Sequence, residues 1–300
     1  MRTVFLGTSS FAVAILRRLA DSEHRPSLVL TQPDRPQGRG RRLGGPPVAE
    51  ATLELGLALE QTEDVGDPVV LDRIRASGAE AGVVCAFGQL IREPLLSEIC
   101  LLNVHPSLLP RWRGAAPIER AILAGDERTG VAIMRLTEGL DAGPIALAEP
   151  VVIGEDDFGA LAARLERLGG ELLVRALDRL AAGRLELAPQ ADSEATYAEK
   201  ISPAERRLDP ARPAAELARV VRALTPHIGA YLELAGGERL GVRAASLEPG
   251  DLAPAELVAD GDLRLGCAEG VLRVAVVQPP GRKPMTSEAY LRGNDVPRLG

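Results

Sequence analysis

Short apolar runs alternate with longer segments that carry apolar residues at helical spacing along the first 180 residues. The runs Arg2–Leu6, Ser27–Thr31, Leu57–Glu60, Ala81–Ala86 and Gly130–Leu136 read as strands, as does the run from Ile99 to Leu102 that leads into Asn103. Phe11–Ala20, Val48–Leu55, Asp67–Ala76, Ala115–Ala124 and Phe158–Ala182 read as helices. Pro33–Pro47 is too rich in Pro, Gly and Arg for either and reads as a long loop. This alternation predicts an α/β domain with a largely parallel sheet and helices on both faces.

The texture changes after Gly183. Residues 184–204 lose the pattern and read as a linker, with Pro189, Gln190, Asp192 and Ser193 in it. A helix over Ala214–Leu224 follows. Short strands then fall near Tyr231–Leu234, Arg239–Ser246, Leu257–Val258, Leu263–Gly266 and Val271–Val277, separated by Gly-Gly, Pro-Gly and Asp-Gly pairs. Several short strands in under 100 residues predict a small β-barrel. The expected organisation is a first domain over 1–183, a linker over 184–204 and a second domain over 205–300.

Composition narrows the function classes. Hydrophobic residues make up 46% of the chain but aromatics only 3%, so the core must be Leu, Val, Ile and Ala. Cys85, Cys100 and Cys267 are far apart, and no Cys or His spacing suits a metal, so no metal site is expected. No apolar run of about 18 residues and no signal-peptide pattern occurs, so a cytoplasmic protein without a membrane segment is expected. The net charge of −7 argues against a generally basic nucleic-acid surface. Attraction for a polyanion must therefore be local. The densest basic stretch runs from Asp34 to Arg42, where Arg35, Arg39, Arg41 and Arg42 stand against one Asp, a local +3. Arginine forks match phosphate, and Gly38 and Gly40 let the segment reorder. A loop that is mobile alone and orders on its partner is expected.

The candidate chemistry sits in Asn103-Val104-His105-Pro106-Ser107-Leu108-Leu109-Pro110. Asn103 and His105 are two residues apart, so on an extended backbone they face the same side. Pro106 and Pro110 end the strand, and in open α/β sheets ligands bind at such C-terminal strand ends. A second polar turn, Thr137–Gly143, also follows a strand and carries Asp141. Two strand ends bearing His and Asp can meet over one cleft. An Asp beside a His holds its tautomer and stabilises the imidazolium. An Asn amide can donate to a developing oxyanion. Two further turns follow strands. In Phe87-Gly88-Gln89-Leu90, Gly88 permits close backbone approach to a flat ligand. Gly7-Thr8-Ser9-Ser10 lacks the dinucleotide fingerprint and reads as a tight turn with a Ser cap.

These motifs resemble one family, methionyl-tRNA formyltransferase, over nearly the whole chain. The resemblance is carried by FLGTSSFA, TQPDRPQGRGRRL, AFGQLI, LNVHPSLLPRWRGAAPIERAI, LTEGLDAGPI, ATYAEKI, VQPPGRKPM and the final AYLRG. NVHPSLLP and LDAGPI are shared with other formyltetrahydrofolate enzymes, whereas the arginine loop and the C-terminal part single out the tRNA enzyme. The resemblance implies a Rossmann-like formyltransferase domain followed by an OB-like barrel. It implies transfer of formyl from 10-formyltetrahydrofolate, a co-substrate, to the α-amine of methionine on initiator tRNA. No protein partner is predicted. Asn103, His105 and Asp141 match the family's catalytic trio. Ser107, Leu108, Leu109 and Pro110 match its folate loop, and Phe87, Gly88 and Leu90 resemble part of the pterin pocket. The loop with Arg39 matches the one entering near the acceptor stem. Thr225-Pro226-His227-Ile228 departs from a turn that often carries Trp and a second Pro. Either His105 or Asp141 can take the first proton on this reading. A small-molecule formyltransferase would need neither the arginine loop nor the barrel, and a hydrolase of the folate would turn over without an amine.

Overall fold

The apolar runs of the first half become strands, in chain order β1 (Thr3–Gly7), β2 (Pro26–Thr31), β3 (Arg35–Gln37), β4 (Arg42–Gly44), β5 (Leu59–Gln61), β6 (Ala81–Cys85), β7 (Cys100–His105), β8 (Arg113–Gly114), β9 (Arg128–Arg135) and β10 (Ile145–Val152). The helices among and after them are α1 (Ser10–Ala20), α2 (Pro47–Glu54), α3 (Pro68–Ala76), α4 (Leu95–Glu98), α5 (Pro117–Ala124) and α6 (Phe158–Ala181). The computed structural model describes residues 1–37 and 42–300. Among these, seven strands form one sheet in the order β10-β9-β7-β6-β1-β2-β5. β5, β2, β1, β6 and β7 run parallel, and β9 joins β7 antiparallel.

Burial on both faces explains why these strands are legible as apolar runs. Every residue of β1 and β6 is buried. On one face Val4, Leu6, Leu28, Leu30 and Val84 pack with Val70, Leu71 and Ile74 of α3. On the other, α6 comes so close that a Cβ on Gly169 would lie 3.0 Å from Val104 and 3.2 Å from Ile15. Fully burying one such Val, Leu or Ile is worth roughly 1.5–3 kcal/mol, so this two-sided packing holds the strand ends that carry the polar residues.

Several elements differ from the sequence expectation. The 33–47 loop contains a hairpin, with Arg35 paired to Gly44 and Gln37 to Arg42. β10 was not expected because its residues are half-buried or exposed, leaving no apolar run to read. The helix expected from Ala115 begins at Pro117, since the Ala115 and Ala116 N–H groups donate to the Ala198 carbonyl instead. Proline suits the first helical position because its missing N–H is not needed there, as it also is in α2 and α3. The strand expected over Leu57–Glu60 starts at Leu59, because the Leu57 N–H closes the end of α2 on the Thr52 carbonyl.

By contacts the chain divides into two units that interleave in sequence. The first is Met1–Gly114, Thr129–Val151 and Ala162–Tyr197, and the second is Ala115–Arg128, Val152–Leu161 and Ala198–Gly300. Much of the segment expected as a linker thus groups with the first unit. At the end of that segment β11 (Tyr197–Ala198) pairs with β8. The second unit adds α7 (Ala214–Leu224), β12 (Ala230–Glu233), β13 (Arg239–Glu248), β14 (Leu257–Asp260), β15 (Asp262–Gly266), β16 (Val271–Gln278), β17 (Met285–Thr286) and α8 (Ser287–Leu291). Its sheet is antiparallel in the order β12-β13-β16-β15-β14, with β17 on β16. α7 packs on β13 and on α5. Among the described residues no helix is long and apolar enough to cross a membrane.

Candidate active site

β7 delivers Asn103 and His105 to the C-terminal end of the parallel strands, with 8% and 4% of each exposed. Burying an amide and an imidazole costs free energy unless they are hydrogen-bonded. The partner is Asp141, and it arrives by a different route from the one expected. β9 runs against β7, so its end lies beside the start of β7, where the Leu136 N–H donates to the Leu101 carbonyl. The turn Thr137–Gly143 therefore folds back. It closes when the Arg135 N–H donates to the Pro144 carbonyl. Gly143 makes this possible, because a Cβ there would lie 1.8 Å from the Arg135 carbonyl oxygen.

The folded-back turn sets Asp141 over the pair. Its Oδ1 accepts from Asn103 Nδ2 at 3.4 Å, and its Oδ2 accepts from the Gly114 N–H at 2.8 Å. His105 Nδ1 faces Oδ2 at 3.6 Å. The other ring nitrogen, Nε2, is 2.9 Å from the Trp112 carbonyl oxygen. A carbonyl only accepts, so Nε2 carries the proton and Nδ1 is the nitrogen turned towards the carboxylate. One N–H of the Asn103 amide makes the long bond to Asp141, and the second is a donor for something else.

The backbone around this corner is unusual. Among the described residues four non-glycines have positive φ, and three are here: Ala86 at 45°, Trp112 at 63° and Asp141 at 46°. Such conformations cost of order 1–3 kcal/mol each and persist where the surroundings over-determine them, as at functional sites.

The remaining candidates are placed as follows. Phe87 buries its ring in the core beneath β6, so what it offers the site is backbone, its carbonyl already accepting from Thr8 Oγ1 and Gln32 Nε2. Gly88, at φ 77°, lies so close to Gln32 that a Cβ would be 2.6 Å from that amide nitrogen. Leu90 is exposed. In the next loop Ser107 is fully buried and donates to the Arg111 carbonyl, and Leu109 packs with Ala132 and Met134. Leu108 and Pro110 are half-buried. Ser9 stands at the N-cap of α1, but its side chain makes no capping bond, contrary to the expected Ser cap. Arg35 is exposed at the start of the β3–β4 hairpin. Arg39 and Arg41, and the side chain of Arg42, lie outside the described residues.

Thiol chemistry finds no support. Burial pushes the thiols of Cys85, Cys100 and Cys267 up, away from the reactive thiolate. What the arrangement can do is hold an oxyanion on an amide and move a proton at an imidazole–carboxylate pair. Sequence reasoning missed Trp112, Thr8 and Gln32 because each acts through, or on, a backbone carbonyl.

Comparison with known proteins places the chain in a family. A family profile described as formyl transferase matches residues 1–177, and one described as formyl transferase, C-terminal domain, matches residues 200–295. The chain is 44% identical over 300 residues to the methionyl-tRNA formyltransferase of Halorhodospira halophila, covering 97% of this chain and 96% of that one. It is 43% identical over 311 residues to that of Chromobacterium violaceum, covering 100% of each. Among solved structures, HypX from Aquifex aeolicus in complex with tetrahydrofolic acid superposes with a TM-score of 0.69 at 18% identity, covering 97% of this chain and 47% of that one. The sugar 3N-formyltransferase WlaRD superposes with a TM-score of 0.68 at 13% identity, covering 94% and 99%. At these identities the structures speak for the fold, while the full-length sequence matches decide the lineage: this chain is a member of the methionyl-tRNA formyltransferase family.

Proposed function

We propose that this protein transfers the formyl group of 10-formyltetrahydrofolate to the α-amine of methionine carried by initiator tRNA, giving formylmethionyl-tRNA. The observation that carries the reading is the convergence of Asn103, His105 and Asp141 at the end of β7. The relatives' names support a methionyl-tRNA acceptor and a formyl group as what is transferred; the 10-formyltetrahydrofolate donor and the choice of initiator tRNA are this proposal's own.

The neutral methionyl amine attacks the formyl carbon, a C–N bond forms and the carbonyl oxygen takes up negative charge. The second N–H of Asn103 donates to that oxygen, a contribution of ~3 kcal/mol in a water-excluded site. The amine then sheds a proton. His105 Nδ1 and Asp141 Oδ2, 3.6 Å apart, are both placed to accept it. The same proton passes to the leaving folate nitrogen as the old C–N bond breaks, so tetrahydrofolate departs neutral at that atom. Proton handling of this kind is worth roughly 10²–10⁴-fold. The folate lies against the Ser107–Pro110 loop and the Phe87–Leu90 turn. Arg35, Arg39, Arg41 and Arg42 hold acceptor-stem phosphates, with Arg39 reaching deepest.

Incubation with labelled 10-formyltetrahydrofolate tests the reading, in parallel with methionyl initiator tRNA, methionyl elongator tRNA and no acceptor. Label is expected on the initiator tRNA. Equal release of labelled formate without any acceptor would identify a hydrolase instead, and label on neither tRNA would sink the proposal.

A further inference from the structure

We infer that the segment from Gln190 to Thr196 is a positioning strap that holds Asp141 and His105 in register from behind. The inference rests on the reading of that pair as the proton-handling group. Two arms lead from the strap to the two residues, and all the atoms involved belong to the first unit.

The first arm ends on Asp141. Gln190 Nε2 donates to the Asp141 carbonyl at 2.8 Å and to the Gly143 carbonyl at 2.7 Å. An amide nitrogen has two N–H groups, so both are spent on the fold-back turn. Gln190 Oε1 accepts from Arg113 Nε at 3.1 Å and from one of its terminal nitrogens at 2.9 Å. Arg113 can only donate, so it dictates which way the Gln190 amide faces. Arg113 is itself 3% exposed, and a charge so buried needs a counter-charge. Asp192, further along the strap, supplies it at 2.8 Å.

The second arm ends on His105. Thr196 Oγ1 accepts from the Trp112 N–H at 2.9 Å, and the Thr196 carbonyl accepts from the Arg113 N–H at 2.8 Å. Trp112, so fixed, presents its carbonyl to His105 Nε2 at 2.9 Å. Each arm thus grips a non-glycine residue with positive φ, one bearing the carboxylate and one orienting the imidazole. Backbone in that region stays put only when neighbours over-determine it, and the strap is the neighbour common to both. Gln190 and Thr196 bond to these carriers of the site through backbone atoms, so they are positioning residues.

Two variants test this, each read by kinetics and by the nitrogen NMR signature of His105. With only three His in the chain, that signal is readily assigned by substitution. Gln190→Glu keeps the bond to Arg113 but puts an acceptor where two donors met carbonyls. Thr196→Val keeps the shape but removes the acceptor for Trp112, and Thr196→Ser restores it. Misplacement of about 1 Å costs on the order of 10²-fold, so kcat is expected to fall ~10–100-fold in Gln190→Glu and Thr196→Val. KM for the folate should stay within about twofold, the His105 signature should move, and Thr196→Ser should recover both. A merely structural strap would instead lower folding stability and folate binding together and leave the His105 signature of the folded fraction as in the parent. That result, or unchanged kcat, overturns the inference. The parent in the same assay separates the two proposals. If it formylates no methionyl-tRNA, the proposed function fails, and the His105 signature alone still decides the strap.

Discussion

The corner around Asp141 and the arginine hairpin are both polar, and they are built in opposite ways. In the corner Asn103 and His105 are buried, Asp141 is partly buried with named partners for both carboxylate oxygens, and three residues have strained backbone. In the hairpin the order comes from backbone pairing of β3 with β4, and Arg35 stands in solvent. On the proposed function, the difference matches what each would have to do. An oxyanion or a moving proton is stabilised over a few tenths of an ångström in a low-dielectric site, so its donors must be fixed beforehand. Attraction to a phosphate backbone acts over roughly a Debye length, about 8 Å at physiological salt, and tolerates mobility.

If this contrast is right, removing a corner group must cost far more turnover than removing a hairpin charge. Asn103→Ala, His105→Ala and Asp141→Ala are each expected to lower kcat by at least ~10²-fold with the fold intact, as when an oxyanion donor or proton carrier is lost. Single-turnover formylation measures it, and near-parent turnover in any one would remove that residue from the mechanism. A subtler change breaks the corner without touching its chemistry. Gly143→Ala would push a Cβ against the Arg135 carbonyl, 1.8 Å away, and force the turn open. A fall in kcat of ~10–100-fold is expected from the displaced carboxylate. Parent-like kcat would mean that Asp141 does not need its turn closed.

The hairpin prediction is smaller and differently shaped. Arg39→Ala should reduce the salt dependence of tRNA binding by a slope of about 0.7–0.9, the value for one phosphate contact. It should lower formylation several-fold at sub-saturating tRNA and leave folate binding alone. An unaltered salt slope would reduce the arginine run to a solvated charge cluster.

The smallest effect comes from a pair of intermediate exposure in the second unit. The hydrogen bond from Arg120 holds the Glu205 carboxyl down at about 2. Because the folded value lies below the unfolded one, near 4.3, the pair's stabilisation is complete above that and is lost as the pH falls towards 2. The carboxylate is partly solvated, so the contribution is under about 1 kcal/mol. Glu205→Gln should flatten the acid limb of a stability curve between about pH 4.5 and 2. An unchanged limb would show that the pair contributes nothing to stability.

Much of the fold and part of the site were readable in advance, for reasons that differ residue by residue. β1, β2, β6 and β7 are nearly continuous apolar runs because both faces of the sheet are covered, and burial is what composition records. β10 escaped because it is half-exposed. Asn103 and His105 were readable as a pair because the strand period is two. The resemblance places Phe87 in a pocket, yet its ring belongs to the core, since a residue in the turn after a strand is also next to the strand that positions it.

Local pattern thus determined which residues form strands and helices, that the second half differs from the first, and that an amide and an imidazole share one side of a strand end. Each of these depends on periodicity or composition within a few residues. Tertiary structure alone decided that β9 runs antiparallel, that the 137–143 turn folds back, and that Gln190 and Thr196 bond to Asp141 and Trp112 across 49 and 84 residues. Those outcomes depend on which distant segments close on one another. A glutamine within an expected linker carries no local sign of the carbonyls it will meet.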